Sequence, residues 1–435
     1  MFLRPRLRPG HLFALYPFSG GIVQPGFPLN PAEKRPVLLF SRGPEYGILG
    51  VVTAMKKMRI GVLTGGGDCA GLNPALKWVV KTAMDERLEF ERGVRYEVIG
   101  IRDGWMGLTG VDLGSPDTQG SIVHLNPDIV RTWDRYGGTM LGTSRHSPFD
   151  PSNDQTNLVI RNIDRLGLDA LIVIGGDGTL ASTKTLIDAG VNIVGIPKTI
   201  DKDLPGTDYT LGFESALNVI VEEVDRLRTT AGSHKRIFVV ETMGRTAGWL
   251  ALEGGEACGA YIILIPECDY SIDRVNELVL EGRRAGTRYE IIVVAEGAKP
   301  IGGTEVVKKP GLSVFGEKSL GGIGQVLAAQ IQEGTEIETR SVELAYLQRG
   351  GAPCAYDRRM GRYFGIAAVD LVVRKKFGRL VCLCNGKMSH QPLSDIYGKI
   401  SHVDPETEYD KERYNGRRTF FNAGARNKTG RKERG

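Results

Sequence analysis

Arg59-Ile60-Gly61-Val62-Leu63, running into Thr64-Gly65-Gly66-Gly67-Asp68, is the stretch that decides the fold. Its first five residues read as a buried strand and the next five as a tight turn, and a helical pattern continues from about Asn73 to Arg87. Residues 96–101 (YEVIGI) then read as a second strand. Strand, glycine-rich turn, helix, strand is the grammar of a parallel α/β sheet, in which ligands bind beyond the carboxyl ends of the strands. The grammar repeats at Leu168–Ile174, which ends in Gly175-Gly176-Asp177-Gly178-Thr179, continues as a helix to about Ala189 and closes on a strand at 191–196. A second α/β unit follows, with a long amphipathic helix over about 212–229, strands at 236–241, 260–265 and 290–295, and a helix at 324–333. Residues 297–324 are glycine-rich and irregular and read as a mobile loop.

A chain of 435 residues exceeds what one hydrophobic core usually serves, so two domains are expected. With 41% hydrophobic and 25% charged residues, its composition is that of an ordinary globular protein. No apolar run reaches the roughly 18–20 residues that a membrane helix needs. The six cysteines are scattered, as expected for thiols in a reducing cytosol, and Cys382-x-Cys384 has no second pair with which to hold zinc. The net charge of +5 sits in the ends of the chain: residues 1–57 carry +6 and residues 411–435 carry +7, leaving −8 for the body. That distribution speaks against a nucleic-acid partner. Residues 1–54 are rich in Pro, Gly and Arg without apolar patterning or a cleavable signal. They are expected to be a disordered extension, or to precede a natural start at Met55 or Met58. Residues 421–435 are expected to be a disordered basic tail.

Three features point to phosphoryl chemistry. Two glycine-rich loops each follow a buried strand, where backbone N–H groups and a helix N-terminus can receive phosphate. Neither loop is followed by the Gly-Lys-Ser/Thr of a P-loop. Asp177 among such glycines would repel a phosphate unless a cation intervenes, which suggests Mg²⁺; an Asx turn or helix cap is the plainer alternative. Next, Pro197-Lys198-Thr199-Ile200-Asp201-Lys202-Asp203-Leu204-Pro205-Gly206-Thr207-Asp208 places three carboxylates in one loop after a strand. A kinase needs one carboxylate to accept the substrate hydroxyl proton, although a solvated charged turn would look similar. Finally, Arg236, Arg245, Arg340 and Arg349 stand at loop edges near strand ends, an arrangement suited to an anionic substrate.

On these residues the chain resembles the 6-phosphofructokinase family over about 58–400. The resemblance is carried by LTGGGDCAGLN (63–73), GGDGT (175–179), PKTIDKDLPGTDYTLGF (197–213), DRLRTTAGSHKR (225–236), VVETMGRTAGWLAL (239–252), AEG (295–297) and LQRGG (347–351). GGDGT alone also occurs in NAD kinases and diacylglycerol kinases; the other motifs do not. The resemblance implies two doubly wound, Rossmann-like α/β domains with the active site in the cleft between them. The nucleotide domain would be 58–212 plus 348–398, and the sugar-phosphate domain 213–347 plus 399–420. It implies transfer of a phosphoryl group to the 1-hydroxyl of fructose 6-phosphate by a cytoplasmic homodimer or homotetramer. In that scheme Asp201 is the general base. Asp177 coordinates Mg²⁺, with Asp203 assisting. Thr199, Ile200, Met243, Gly244, Arg245 and Glu296 contact the sugar substrate, with Arg245 also near the transferring group. Arg349 holds the 6-phosphate, as do Arg236 and Arg340 from a neighbouring subunit, and Gly67, Arg145, Gly178 and Thr179 contact the nucleotide.

The donor turns on Gly178 and Lys198. Relatives that use pyrophosphate typically carry Asp at the first position, where a carboxylate would crowd and repel the α-phosphate of ATP; Gly178 favours ATP. Lys198 is typical of pyrophosphate users, although some ATP users combine it with the glycine. Tyr346 stands where many members use His to bind the sugar phosphate, and Lys202 replaces a common Asn and is expected to meet phosphate or solvent. Lys77 and Lys81 stand where some bacterial relatives place effector-binding Arg. ATP:fructose-6-phosphate phosphotransferase is the leading reading. The pyrophosphate-dependent enzyme is the alternative, and a catalytically weak nucleotide-sensing homologue a more remote one.

Overall fold

The computed structural model describes residues 56–112, 118–312 and 318–420. The expectations for residues 1–54 and 421–435 lie outside them. The described residues form one compact unit built on two main sheets.

The strands follow in chain order: β1 (Lys56–Thr64), β2 (Val94–Ile101), β3 (Ile122–Leu125), β4 (Ala170–Gly175), β5 (Ile193–Pro197), β6 (Ile237–Thr242), β7 (Ile262–Leu264), β8 (Glu290–Ala295), β9 (Val307–Leu312), β10 (Lys318–Leu320), β11 (Thr339–Glu343), β12 (Arg379–Cys384), β13 (Lys387–Pro392), β14 (Tyr409–Asp410) and β15 (Asn415–Gly416). The larger sheet has the order β13-β12-β5-β4-β1-β2-β3, with its five inner strands parallel and an antiparallel strand on each edge. The smaller sheet, β11-β6-β8-β7, is wholly parallel. β4, β6 and β8 are buried along their whole length, which is why they read as continuous apolar runs rather than alternations. Two α/β layers of Rossmann-like character are therefore present, as the sequence led one to expect. Among the described residues no helix is long and apolar enough to cross a membrane.

The structure corrects several boundaries. β1 begins three residues before the strand read from sequence, at Lys56. The helix placed over 73–87 stops at Ala83, and Asp85 caps a second one, Glu86–Arg92, by accepting from the N–H groups of Arg87 and Leu88. The helix after β4 is two short pieces, Asp177–Ala181 and Thr183–Asp188. Within 297–324, read as irregular, β9 and β10 pair as an antiparallel hairpin with an irregular register.

The helix Ala355–Val373 packs along Leu72–Ala83. Gly361 and Gly365 allow the approach: a Cβ at Gly361 would lie 2.6 Å from Pro74 Cβ, and one at Gly365 2.9 Å from the Ala75 carbonyl oxygen. The same helix carries Asp357, fully buried. It accepts from Tyr209 Oη (2.8 Å) and Gly212 N (2.7 Å) on one oxygen, and from Ser215 N (3.0 Å) and Oγ (2.6 Å) on the other. That carboxylate fastens the far end of the 197–212 loop to the start of the helix Phe213–His234.

Candidate active site

The two glycine-rich loops meet at Thr179. A Cβ on Gly65 would lie 2.5 Å from Thr179 Cγ2, and one on Gly175 equally close to it, so only glycines let the loops cross here. Gly65 N donates to the Ile174 carbonyl (3.0 Å), and Gly66, at φ +79°, donates to Ser144 (3.2 Å). A cleft opens beyond these strand ends. Asp68, Arg145, Asp177 and Gly178 line it from the larger sheet's loops, with Lys198, Thr199, Ile200 and Asp201 beside them. Arg245, at the end of β6, and Arg349 reach into it from the smaller sheet's side.

Asp201 and Asp203 are both buried, and one carboxylate oxygen of each has no hydrogen-bond partner. Burial pushes the Asp201 carboxyl up, against the pull of Arg245 and Arg349. Asp203 is pushed up to about 7 by burial and then by the negative charges of Asp201 and Asp177. Lys198 is also buried; its Nζ donates to the Gly67 carbonyl (2.5 Å), and burial lowers its pKa. Arg245 Nη1 stands 3.7 Å from Asp177 Oδ1. The Arg245 backbone is held in the left-handed region (φ 54°) by its N–H bond to Glu296 Oε1 (3.0 Å), next to Gly244 at φ 137°. Glu296 is itself raised to about 7, by burial first and then by Asp201. Met243 N donates to Gln348 Oε1 (2.8 Å), and Gly67 leaves room for Arg349, whose Nη1 would lie 2.8 Å from a Cβ there.

Sequence-predicted residues thus divide. Gly67, Arg145, Asp177, Gly178, Thr179, Lys198, Thr199, Ile200, Asp201, Arg245 and Arg349 line one cleft. Asp203, Met243, Gly244 and Glu296 are not among the lining residues; Glu296 accepts from the N–H of Arg245, and Met243 and Gly244 immediately precede Arg245 in the chain. Tyr346 is exposed, and the Arg349 guanidinium lies 5.5 Å from its ring centroid. Arg236 and Arg340 do not line the cleft; Glu338 bridges them, at 2.6 and 2.7 Å. Lys202, expected to meet phosphate or solvent, is partly exposed and pairs with Glu253 at 2.6 Å. Gln348 was not singled out in the sequence. Nothing in a lone glutamine distinguishes it, yet it is buried and holds the Met243 backbone.

Among the described residues no three His, Cys, Asp or Glu side chains gather closely enough to cage a metal. Magnesium is commonly held by one or two carboxylates together with substrate phosphates. Asp177, partly exposed at the cleft, and the unpartnered oxygens of Asp201 and Asp203 suit an ion that arrives with a phosphate donor. Four cationic side chains face three carboxylates here, so the cleft is built for polyanions with a counter-ion between.

The phosphofructokinase family profile matches residues 59–372. The chain belongs to the phosphofructokinase family. Relatives of this phosphofructokinase divide by donor. It is 44% identical over 369 residues, covering 85% of this chain and all of the relative, to a pyrophosphate–fructose 6-phosphate 1-phosphotransferase of Dictyoglomus thermophilum. It is 42% identical over 362 residues, 82% of this chain and 95% of the relative, to an ATP-dependent 6-phosphofructokinase of Chloroflexus aurantiacus. Among solved structures, the phosphofructokinase of Saccharomyces cerevisiae superposes with a TM-score of 0.64 at 31% identity, over 78% of this chain and 45% of the yeast chain.

Proposed function

We propose that this phosphofructokinase transfers a phosphoryl group from Mg-ATP to the 1-hydroxyl of fructose 6-phosphate, giving fructose 1,6-bisphosphate. The observation that carries the reading is Asp201: a buried carboxylate with a free oxygen, at the carboxyl end of β5, flanked by Arg245 and Arg349. Asp201 takes the hydroxyl proton as the oxygen attacks the terminal phosphorus in line. Arg245 meets the charge that spreads over the equatorial oxygens, and its backbone is fixed for this by Glu296. Arg349 anchors the 6-phosphate, and Glu296, Met243, Gly244, Thr199 and Ile200 shape the sugar pocket. Gly67, Arg145, Gly178 and Thr179 receive the donor. Asp177, with Asp203 assisting, would hold a magnesium ion arriving with that donor, and the ion would supply neutralising charge to the phosphates. The segments 58–212 and 348–398 then serve the donor, and 213–347 with 399–420 serve the sugar phosphate. Arg236 and Arg340, lying away from their own cleft, serve a neighbouring subunit of a cytoplasmic dimer or tetramer.

Gly178 supports ATP because it leaves space and no negative charge beside the donor's α-phosphate. A pyrophosphate-dependent, reversible enzyme is the second reading. It is favoured by Lys198, whose ammonium group reaches the Gly67 carbonyl at the donor loop, and by the names of relatives such as that of Dictyoglomus thermophilum. Formation of fructose 1,6-bisphosphate from fructose 6-phosphate and Mg²⁺, assayed with ATP and with pyrophosphate separately, decides between them. Turnover with pyrophosphate alone overturns the ATP reading, and silence with both overturns the activity.

A further inference from the structure

Cys382-x-Cys384 finds no use in the phosphoryl-transfer scheme, yet its surroundings are specific. Both residues lie on β12, two apart and so on one face of the strand, and their sulfurs are 3.5 Å apart. Cys382 is buried and Cys384 partly exposed. β12 pairs with β5 only through Arg379 and Leu380, so beyond that point its second edge is taken up by the 206–208 end of the Asp201–Asp203 loop. Cys384 Sγ donates to the Gly206 carbonyl (3.4 Å). Leu383, between the two cysteines, donates its N–H to Thr207 Oγ1 (3.1 Å) and accepts from Asp208 N (2.7 Å). Gln391 Nε2 on β13 donates to the Pro205 carbonyl (3.0 Å), and Gly386 N in the turn donates to Asp208 Oδ2 (3.1 Å). The hairpin that carries the dithiol is thus the back wall of the loop that carries the two buried aspartates.

We propose that Cys382 and Cys384 are an oxidisable dithiol whose conversion to a disulfide lowers catalytic turnover by displacing that loop. Alternate residues on a strand have Cα atoms about 6.6 Å apart, from a rise of about 3.3 Å per residue, which is the upper end of the range a disulfide spans. The bond therefore forms with a small contraction of the strand at Leu383, and a disulfide made under such strain is readily reduced. The oxidant is a hydroperoxide. The Cys384 thiolate attacks one peroxide oxygen and the O–O bond breaks. This leaves a sulfenic acid on Cys384 and, after protonation of the leaving oxygen, one water from hydrogen peroxide. The Cys382 sulfur then attacks the sulfenic sulfur, forming the S–S bond as a second water leaves. Two thiols lose two electrons and two protons, and the peroxide gains them. Contraction at Leu383 withdraws its two backbone bonds from Thr207 and Asp208 and takes Cys384 Sγ off Gly206, so Asp203 and Asp201 lose their backing.

Mass mapping of the full-length protein after stoichiometric hydrogen peroxide tests the chemistry independently of any donor. The peptide containing Cys382 and Cys384 is expected to lose two hydrogens and to regain them with dithiothreitol. In parallel, turnover with whichever donor the enzyme uses is expected to fall several-fold and to return on reduction. The Cys384→Ser variant keeps a donor toward Gly206 and is expected to keep its basal turnover and its activity under peroxide. Absence of the linked peptide, or linkage of either residue to another cysteine, overturns the site. A linked peptide with unchanged turnover overturns the coupling, as does equal inactivation of Cys384→Ser.

Discussion

Lys202 Nζ lies 2.6 Å from Glu253 Oε1, and over the rings of Trp249 and Phe213 at 4.9 and 5.1 Å from their centroids. The residue between the two buried aspartates is therefore tied to the helices Trp249–Ala257 and Phe213–His234. Its backbone is held at φ 55°, a conformation that side chains other than glycine rarely adopt. Each cation–π contact contributes about 0.5–1 kcal/mol, and together with the ion pair they offset that strain. Replacing Lys202 by Met removes the charge and keeps much of the stem. We expect kcat to fall about tenfold, the equivalent of about 1.4 kcal/mol of lost positioning, with the KM for donor nearly unchanged. Glu253→Gln is expected to act in the same direction more weakly, and Lys202→Arg to recover part of the loss. Steady-state kinetics of the three variants check this, and an unchanged kcat in Lys202→Met removes Lys202 from the account.

The pair of unpartnered carboxylates gives a stability prediction with a definite sign. Asp203 rises from 3.8 in the unfolded chain to about 7 in the fold, chiefly through burial. Between those values the folded state binds the extra proton, so this group's stabilising contribution is complete below 3.8 and is lost as pH rises through about 7. Asp203→Asn removes that titration. The variant is expected to match the parent protein in acid and to exceed its melting temperature by a few degrees above pH 8, while losing turnover. A melting-temperature difference that does not grow with pH contradicts the burial-driven shift.

Strand-and-loop grammar made the frame legible. Residues 60–63, 170–175 and 291–295 are apolar throughout because both faces of a parallel sheet are covered, and such runs announce themselves. The edges did not. β11 reads Thr-Arg-Ser-Val-Glu, with polar side chains half in solvent, and β13 reads Lys-Met-Ser-His-Gln-Pro. Neither carries an apolar period, and their pairing is supplied by β6 and β12. Ala355–Val373 conceals its helical period behind Gly361 and Gly365, which are there for close packing and lower local propensity. At the site, residues in dense motifs were found together in the cleft. Gln348 and the partners of Lys202 were missed because their meaning lies in what they touch across long sequence separations, and one sequence contains no trace of that.

Donor choice gives the third prediction. If Gly178 decides it, Gly178→Asp places a carboxylate beside Asp177 at the start of the helix Asp177–Ala181. We expect kcat/KM for ATP to drop about 100-fold, close to the roughly 2.7 kcal/mol that one unscreened like-charge contact near a protein surface can cost. The KM for fructose 6-phosphate should change little. Equal ATP kinetics in the variant would move the decision to Lys198.

The last prediction concerns Arg236 and Arg340, held together by Glu338 and outside the lining of their own cleft. If they complete a neighbour's site, each active site draws its base from one chain and these arginines from another. An Asp201→Ser chain then lacks the base in its own cleft but still lends its arginines. A chain carrying Arg236→Ala and Arg340→Ala has the base and lends nothing. Co-expressed under separate tags in equal amounts, half of the dimers hold one chain of each kind, and each of these contains one complete site. Activity at low fructose 6-phosphate is therefore expected to rise from near zero in either variant to about one quarter of the parent value. The double-arginine variant alone is expected to show a raised KM for fructose 6-phosphate, with an unchanged KM for donor. Activity of the mixture equal to the average of its two parents would show that these arginines serve no neighbouring site, leaving the Glu338 bridge as a structural contact.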